Sequence, residues 1–93
     1  MAEMNWQVYI ILCSDNSLYT GVTTNIERRF LQHKNGKGAK YFRAHQPVRL
    51  LYRESGHNRS TAATRERKIK GMRQSEKYLL ALSDINEVAS GKA

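Results

Sequence analysis

Hydrophobic and polar positions change their rhythm as the chain proceeds. Residues 6–13, WQVYIILC, are apolar at both parities and rich in aromatic and β-branched side chains, which predicts a strand covered on both faces. Ser14-Asp15-Asn16-Ser17 supplies turn-forming residues, and LYTGVT at 18–23 returns with strand-like composition. The pair should form a hairpin. Its register decides which side chains share a face. A loop of Ser14, Asp15 and Asn16, with Asn16 in the left-handed region, sets Cys13 opposite Ser17 and Ile11 opposite Tyr19. Tyr9 and Tyr19 then lie diagonally on one face, whereas a longer loop would part them. The shorter loop is the expectation.

From Ile26 the period becomes helical. Thr24-Asn25-Ile26-Glu27 reads as a capping box in which Thr24 and Glu27 satisfy each other's backbone donors, opening a helix that runs to about residue 35. On a helical wheel Phe30, His33 and Arg29 fall about 40°, about 20° and about 60° from Ile26, while Arg28 falls about 160° away. Arg29 and His33 therefore border the buried stripe, and Arg28 faces water. A snorkelling arginine beside a partly exposed ring would produce the same spacing.

Gly36-Lys37-Gly38-Ala39-Lys40 is too glycine-rich for a helix and could cradle a phosphate, although the spacing of a P-loop is absent. Tyr41 and Phe42 are expected to seal this loop to the core, leaving Lys37, Lys40 and Arg43 outward as phosphate contacts. Pro47 confines the third strand to residues 48–54, and residues 56–58 turn the chain. A helix is predicted over 60–72, capped by Asn58 or Ser60. Another is predicted over 75–88, where Tyr78, Leu79, Leu82, Ile85 and Val88 recur at helical spacing. The order is thus ββαβαα in one domain spanning residues 1–88, with 89–93 as a loose tail.

Composition sharpens the choice of partner. Among 93 residues, 16 Lys and Arg face 8 Asp and Glu, a formal charge of +8 with a sequence pI near 10.0. Such a balance points to a polyanion, with nucleic acid ahead of an acidic membrane surface. The longest apolar run, at 8–13, is far below the roughly 20 residues needed to span a bilayer. The opening residues do not read as a signal peptide, and the single cysteine, Cys13, fits a reducing compartment, so a cytoplasmic location is expected. His33, His45 and His57 with Cys13 lack the paired spacing of a zinc site.

One carboxylate stands apart. Glu66 shares a side of its helix with the apolar Ala62 and Ile69, yet is embedded among Arg65, Arg67 and Lys68. It can form an ordinary i,i+4 pair with Lys70, or it can bind a hard divalent cation. Two phenols, an arginine, a histidine and a carboxylate thus sit on elements able to converge. Such a set can hydrolyse a phosphodiester. The arginine would offset charge on the phosphate oxygens, a metal on Glu66 would bridge the phosphate, and a phenol near both cations would ionise more readily than usual.

The chain also resembles a GIY-YIG nuclease domain. Gln7-Val8-Tyr9 stands where GIY is expected and Tyr19-Thr20-Gly21 where YIG is expected, followed by Arg29, His33 and Glu66 at family-like intervals. The resemblance covers about residues 6–82 and is strongest to the small stand-alone YhbQ-like bacterial group. It rests there on SLYTG, ERR, HxxGKGAKY and the RS…RE..IK helix. It implies an α+β fold, a small three-stranded antiparallel sheet flanked by helices. It further implies hydrolysis of structured or damaged DNA, with DNA favoured over RNA, by one Mg²⁺ or Mn²⁺ held on Glu66. Tyr19 would be the general base, Tyr9 its orienting partner, Arg29 the stabiliser of the transition state and His33 an auxiliary. Lys37, Lys40, Arg43, Arg65 and Lys68 would contact nucleic acid. Substrate choice then falls to the domain's own surface, a second copy or a partner protein. The rival expectation is a basic module of the same fold that binds nucleic acid without cutting it.

Overall fold

Trp6–Cys13 forms β1, Leu18–Thr23 forms β2 and Pro47–His57 forms β3 in the computed structural model, which describes residues 4–88. They make one antiparallel sheet in the order β2-β1-β3. The strand that is apolar at both parities is central, and it is covered on both faces as expected. Val8 and Ile10 belong to one core, with Tyr52, Ala62 and Ile69. Tyr9, Ile11 and Cys13 belong to the other, with Ile26 and Phe42.

The hairpin has the expected register. Asn16 adopts φ 66°, the Cys13 N–H donates to the Ser17 carbonyl at 3.0 Å, and Ile11 lies opposite Tyr19. Asp15 holds the turn by accepting the Ser17 N–H and hydroxyl, and its other oxygen meets His45 Nδ1 at 2.6 Å. An Asx-type turn thus also ties the hairpin tip to the segment before β3.

Helix α1 spans Ile26–Lys34, and its cap differs from expectation. Asn25, not Thr24, is the N-cap: its side chain accepts the Arg28 N–H at 3.0 Å. Thr23 Oγ1 accepts the Asn25 N–H at 3.1 Å, which holds the chain extended one residue further. A 3₁₀ turn follows at Lys40–Arg43. Strand β3 begins at Pro47 and continues beyond Glu54 to His57. The added length carries a bulge, since Trp6 pairs with His57 while Val8 pairs with Glu54, with Gly56 at φ 82° inside it. Helix α2, Arg59–Lys70, is capped by Asn58 and Thr61, each side chain accepting the other's backbone N–H.

The last helix is shorter than its periodicity predicts. Helix α3 covers Gln74–Ala81, and Leu79 and Leu82, expected to close the core, are 67% and 82% exposed. Tyr78, expected there too, does pack against the core, joined by Leu80 and Ala81. The Ser83 hydroxyl donates to the Leu80 carbonyl at 2.6 Å, occupying an acceptor near the helix end. The chain then turns back along the free edge of β3. Asn86 donates to the Leu51 and Ala81 carbonyls and accepts the Arg53 N–H, while the Glu87 N–H donates to the Arg53 carbonyl at 2.8 Å. Covering an edge strand in this way satisfies backbone groups that would otherwise be open to pairing. Asn86→Ala should lower unfolding free energy in urea by about 1–2 kcal/mol, because four hydrogen bonds to backbone, the fourth from the Val88 N–H, lose one partner. The expected tail at 89–93 lies outside the described residues.

Candidate active site

The hairpin register places the Tyr9 and Tyr19 rings on the face covered by α1, with centroids 6.3 Å apart. Gly21 lies opposite Tyr9 across the ladder. A Cβ at Gly21 would come within 2.5 Å of the Tyr9 hydroxyl oxygen, so the close approach of this phenol needs glycine there.

His33 reaches the same place from the last turn of α1. Its Nε2 is 2.9 Å from the Tyr9 hydroxyl oxygen, and the residue is 1% exposed, more deeply buried than a ring at the border of the helix stripe would be. The cause is the stop of α1. Gly36 takes φ 77°, the Gly36 N–H donates to the His33 carbonyl and the Lys37 N–H to the Gln32 carbonyl, a Schellman closure. The chain is thereby turned back over the ring. Gly38 passes so close that a Cβ would lie 2.1 Å from His33 Nδ1, and the Ala39 N–H donates to that nitrogen at 3.2 Å. The glycine-rich segment read as a phosphate cradle is in part a lid on this histidine.

That backbone donor sets the tautomer. An N–H group can only donate, so Nδ1 carries the lone pair and the proton of the neutral imidazole is on Nε2. His33 therefore donates to Tyr9, whose own hydroxyl proton points elsewhere. Burial, and then the Arg29 charge, push the His33 pKa down to about 4, so the ring is neutral at physiological pH. Tyr9 departs from the expectation of an easily ionised phenol. Burial and then the Tyr19 phenol hold it well above the usual tyrosine value, against the opposing pull of Arg29.

Arg29 is partly buried, and its Nη1 donates to Gln32 Oε1 at 3.0 Å. Its charge acts on both Tyr9 and His33, so α1 does aim it at the phenol while the adjacent Arg28 is exposed. Glu66 sits on α2, and its charge also acts on Tyr9. Its Oε2 is 3.1 Å from Lys70 Nζ, so the i,i+4 pair is formed on a carboxylate that nevertheless belongs to the site's surroundings. Tyr19 completes the cluster, packed on Phe42 and His33 at 4.7 and 5.4 Å between centroids.

Of the expected nucleic-acid contacts, Lys37, Lys40, Arg43 and Lys68 are exposed on their own elements. Arg65 is not available in that way. Its Nε donates to both oxygens of Glu54, which also accepts from the Tyr52 hydroxyl and lies 2.6 Å from His57 Nε2. This internal network pins α2 to β3 and burial pushes the Tyr52 phenol up to about 12. Tyr41, expected to seal its loop to the core, does pack against that core. Tyr41 stacks on His45 with centroids 4.0 Å apart and meets Tyr19 at 5.4 Å, extending the aromatic surface outward from the cluster.

The family model described as the GIY-YIG catalytic domain matches residues 5–79. A UPF0213 protein of Haloquadratum walsbyi is 49% identical over 82 residues, covering 86% of this chain and 92% of its own. A UPF0213 protein of Staphylococcus haemolyticus is 50% identical over 70 residues, covering 75% and 85%. The solution NMR structure of a UPF0213 protein from Bacillus halodurans is 40% identical with a TM-score of 0.52, covering 86% of each chain. That of a protein from E. faecalis is 32% identical with a TM-score of 0.56, covering 85% of each.

Proposed function

Because the chain belongs to the GIY-YIG catalytic domain family, a group of nuclease domains, we propose that it is a divalent-metal-dependent endonuclease acting on structured or damaged DNA. The observation that carries this reading is the surroundings of Tyr9. Its oxygen is hydrogen-bonded to a neutral His33, and the charges of both Arg29 and Glu66 act on it.

The residues suit a hard cation. Among the described residues there is no group of three or more His, Cys, Asp or Glu able to hold a metal. Mg²⁺, however, usually keeps several waters and takes one or two carboxylates plus substrate phosphate oxygens. Glu66 meets that requirement, and an ammonium already stands 3.1 Å from its Oε2, so the carboxylate has room for a cation. When bound, the metal supplies Lewis-acid polarisation of the phosphate.

The remaining steps fall to side chains of the chain itself. Tyr19, less buried than Tyr9, acts as general base in its phenolate form, taking a proton from the attacking water as the water oxygen bonds to phosphorus and the leaving oxygen departs. Tyr9, too desolvated to ionise easily, orients Tyr19 and that water. His33 holds Tyr9 through Nε2–H without competing for the proton. Arg29 offsets charge gathering on the phosphate oxygens. Exposed Lys37, Lys40, Arg43 and Lys68 hold the flanking backbone.

Branched, single-stranded and duplex DNA should be incubated with the purified protein and Mg²⁺ or EDTA. Products are expected with Mg²⁺ alone, most from the branched substrate. Binding with a steep salt dependence but no cleavage under any condition would mark a nucleic-acid-binding module instead.

A further inference from the structure

Lys70 Nζ lies 3.1 Å from Glu66 Oε2, so it occupies space beside the oxygen that the nuclease reading gives to a metal. The lysine side chain is 53% exposed and the carboxylate 22%. The ammonium is thus the mobile partner, able to leave without disturbing the core. A second lysine stands close to it. Burial, and then repulsion from Lys70, hold the Lys77 ammonium below its ordinary value. Lys77 lines a small polar hollow with Ser17, Leu18, Tyr41 and Gln74. Tyr41 in turn packs on Tyr19, so this hollow adjoins the aromatic cluster.

A divalent cation and an ammonium cannot share one carboxylate oxygen at close range without strong repulsion. Resting on the nuclease reading, we propose that Lys70 is a built-in competitor for the metal. It neutralises Glu66 in the metal-free domain, is displaced when the cation binds, and then joins Lys77 as a contact for a substrate phosphate. Metal and polyanion binding are thereby coupled with positive sign. The cation releases a lysine to the phosphate, and by linkage a phosphate that draws Lys70 away raises affinity for the cation by the same factor. The pair also keeps a carboxylate in a strongly basic region from being left as an unmatched acceptor when no metal is present.

Mn²⁺ binding to the full chain without nucleic acid, followed by electron paramagnetic resonance or calorimetry, tests the first half. Lys70→Met keeps the length of the side chain and removes its charge, and should bind Mn²⁺ roughly three- to tenfold more tightly than the parent. Lys70→Arg should bind like the parent, and Glu66→Gln should lose binding. Unchanged affinity in Lys70→Met, with Glu66→Gln still inactive in binding, would overturn the competitor role and leave the nuclease reading standing. Absence of Mn²⁺ binding in every variant would overturn both. The second half is read from the salt dependence of binding to a fluorescent single-stranded oligonucleotide in Ca²⁺ and in EDTA. The parent should show a slope steeper by about 0.7 in Ca²⁺, the signature of one further phosphate contact on a single strand, and Lys70→Met should show no difference. Equal slopes in the parent would overturn the release of Lys70 to phosphate.

Discussion

Glu66→Ala should reduce Mg²⁺-dependent cleavage of branched DNA below detection while leaving the protein folded. The carboxylate's observed partner is Lys70, and an i,i+4 pair of this kind contributes only about 0.3–0.5 kcal/mol. The lysine left behind is half exposed and can return to water, so no buried charge is orphaned. A large loss of activity with an unchanged melting temperature is therefore expected. Tyr19→Phe should lower single-turnover cleavage by about 10²–10⁴, the usual worth of a general base. Arg29→Ala should cost about 10²–10³, the scale of losing one donor to a developing oxyanion. Tyr9→Phe is a less clean probe. It leaves the buried Nε2–H of His33 without an acceptor, which costs about 1–3 kcal/mol of stability as well as any orienting effect. If Glu66→Ala cuts as well as the parent, the carboxylate has no part in the chemistry.

Much of the geometry behind these expectations was legible because it is local. The hairpin register follows from one residue able to adopt a positive φ, Asn16, and from it the shared face of Tyr9 and Tyr19. The helix wheel separated Arg29 from Arg28, and the structure agrees. What sequence spacing missed depends on contacts between distant segments. Thr24 and Asn25 are both good caps, and the choice turned on the hydroxyl of Thr23. The periodicity of 75–88 was helical, yet the chain bends because Asn86 and Glu87 reach β3, more than thirty residues earlier. Arg65 read as one more cation in a basic run, since its partner Glu54 lies on another element. His33 looked like a border residue because burial is completed by Gly38 and Ala39 folding back over it.

That burial gives the second large effect, a loss of stability on mild acidification. The folded pKa of His33 is about 4, against the ordinary 6.5. Between these values the unfolded chain binds the proton and the folded protein does not. The contribution is therefore fully present above pH 6.5 and is lost as pH falls through 6.5 toward 4, a total of about 3 kcal/mol for a shift of this size. Groups facing the ring explain why it cannot adapt. Arg29 repels an imidazolium, Tyr9 accepts the existing Nε2–H, and the Ala39 N–H would meet a protonated Nδ1 head-on. The carboxylates Glu54 and Glu87, whose partners hold them below the ordinary value, act in the same direction but at lower pH. Urea unfolding at pH 7.0, 6.0, 5.0 and 4.5 should thus show a decline that begins above the carboxylate range, and His33→Gln should flatten this upper part while keeping the lower one. A decline of equal size in His33→Gln would show that the ring is not its source. Because the folded ring stays neutral and keeps its Nε2–H on Tyr9 until pH falls to about 4, cleavage by the molecules that remain folded should not decline through this histidine over the interval in which stability does, so a fall in activity there should track the unfolded fraction.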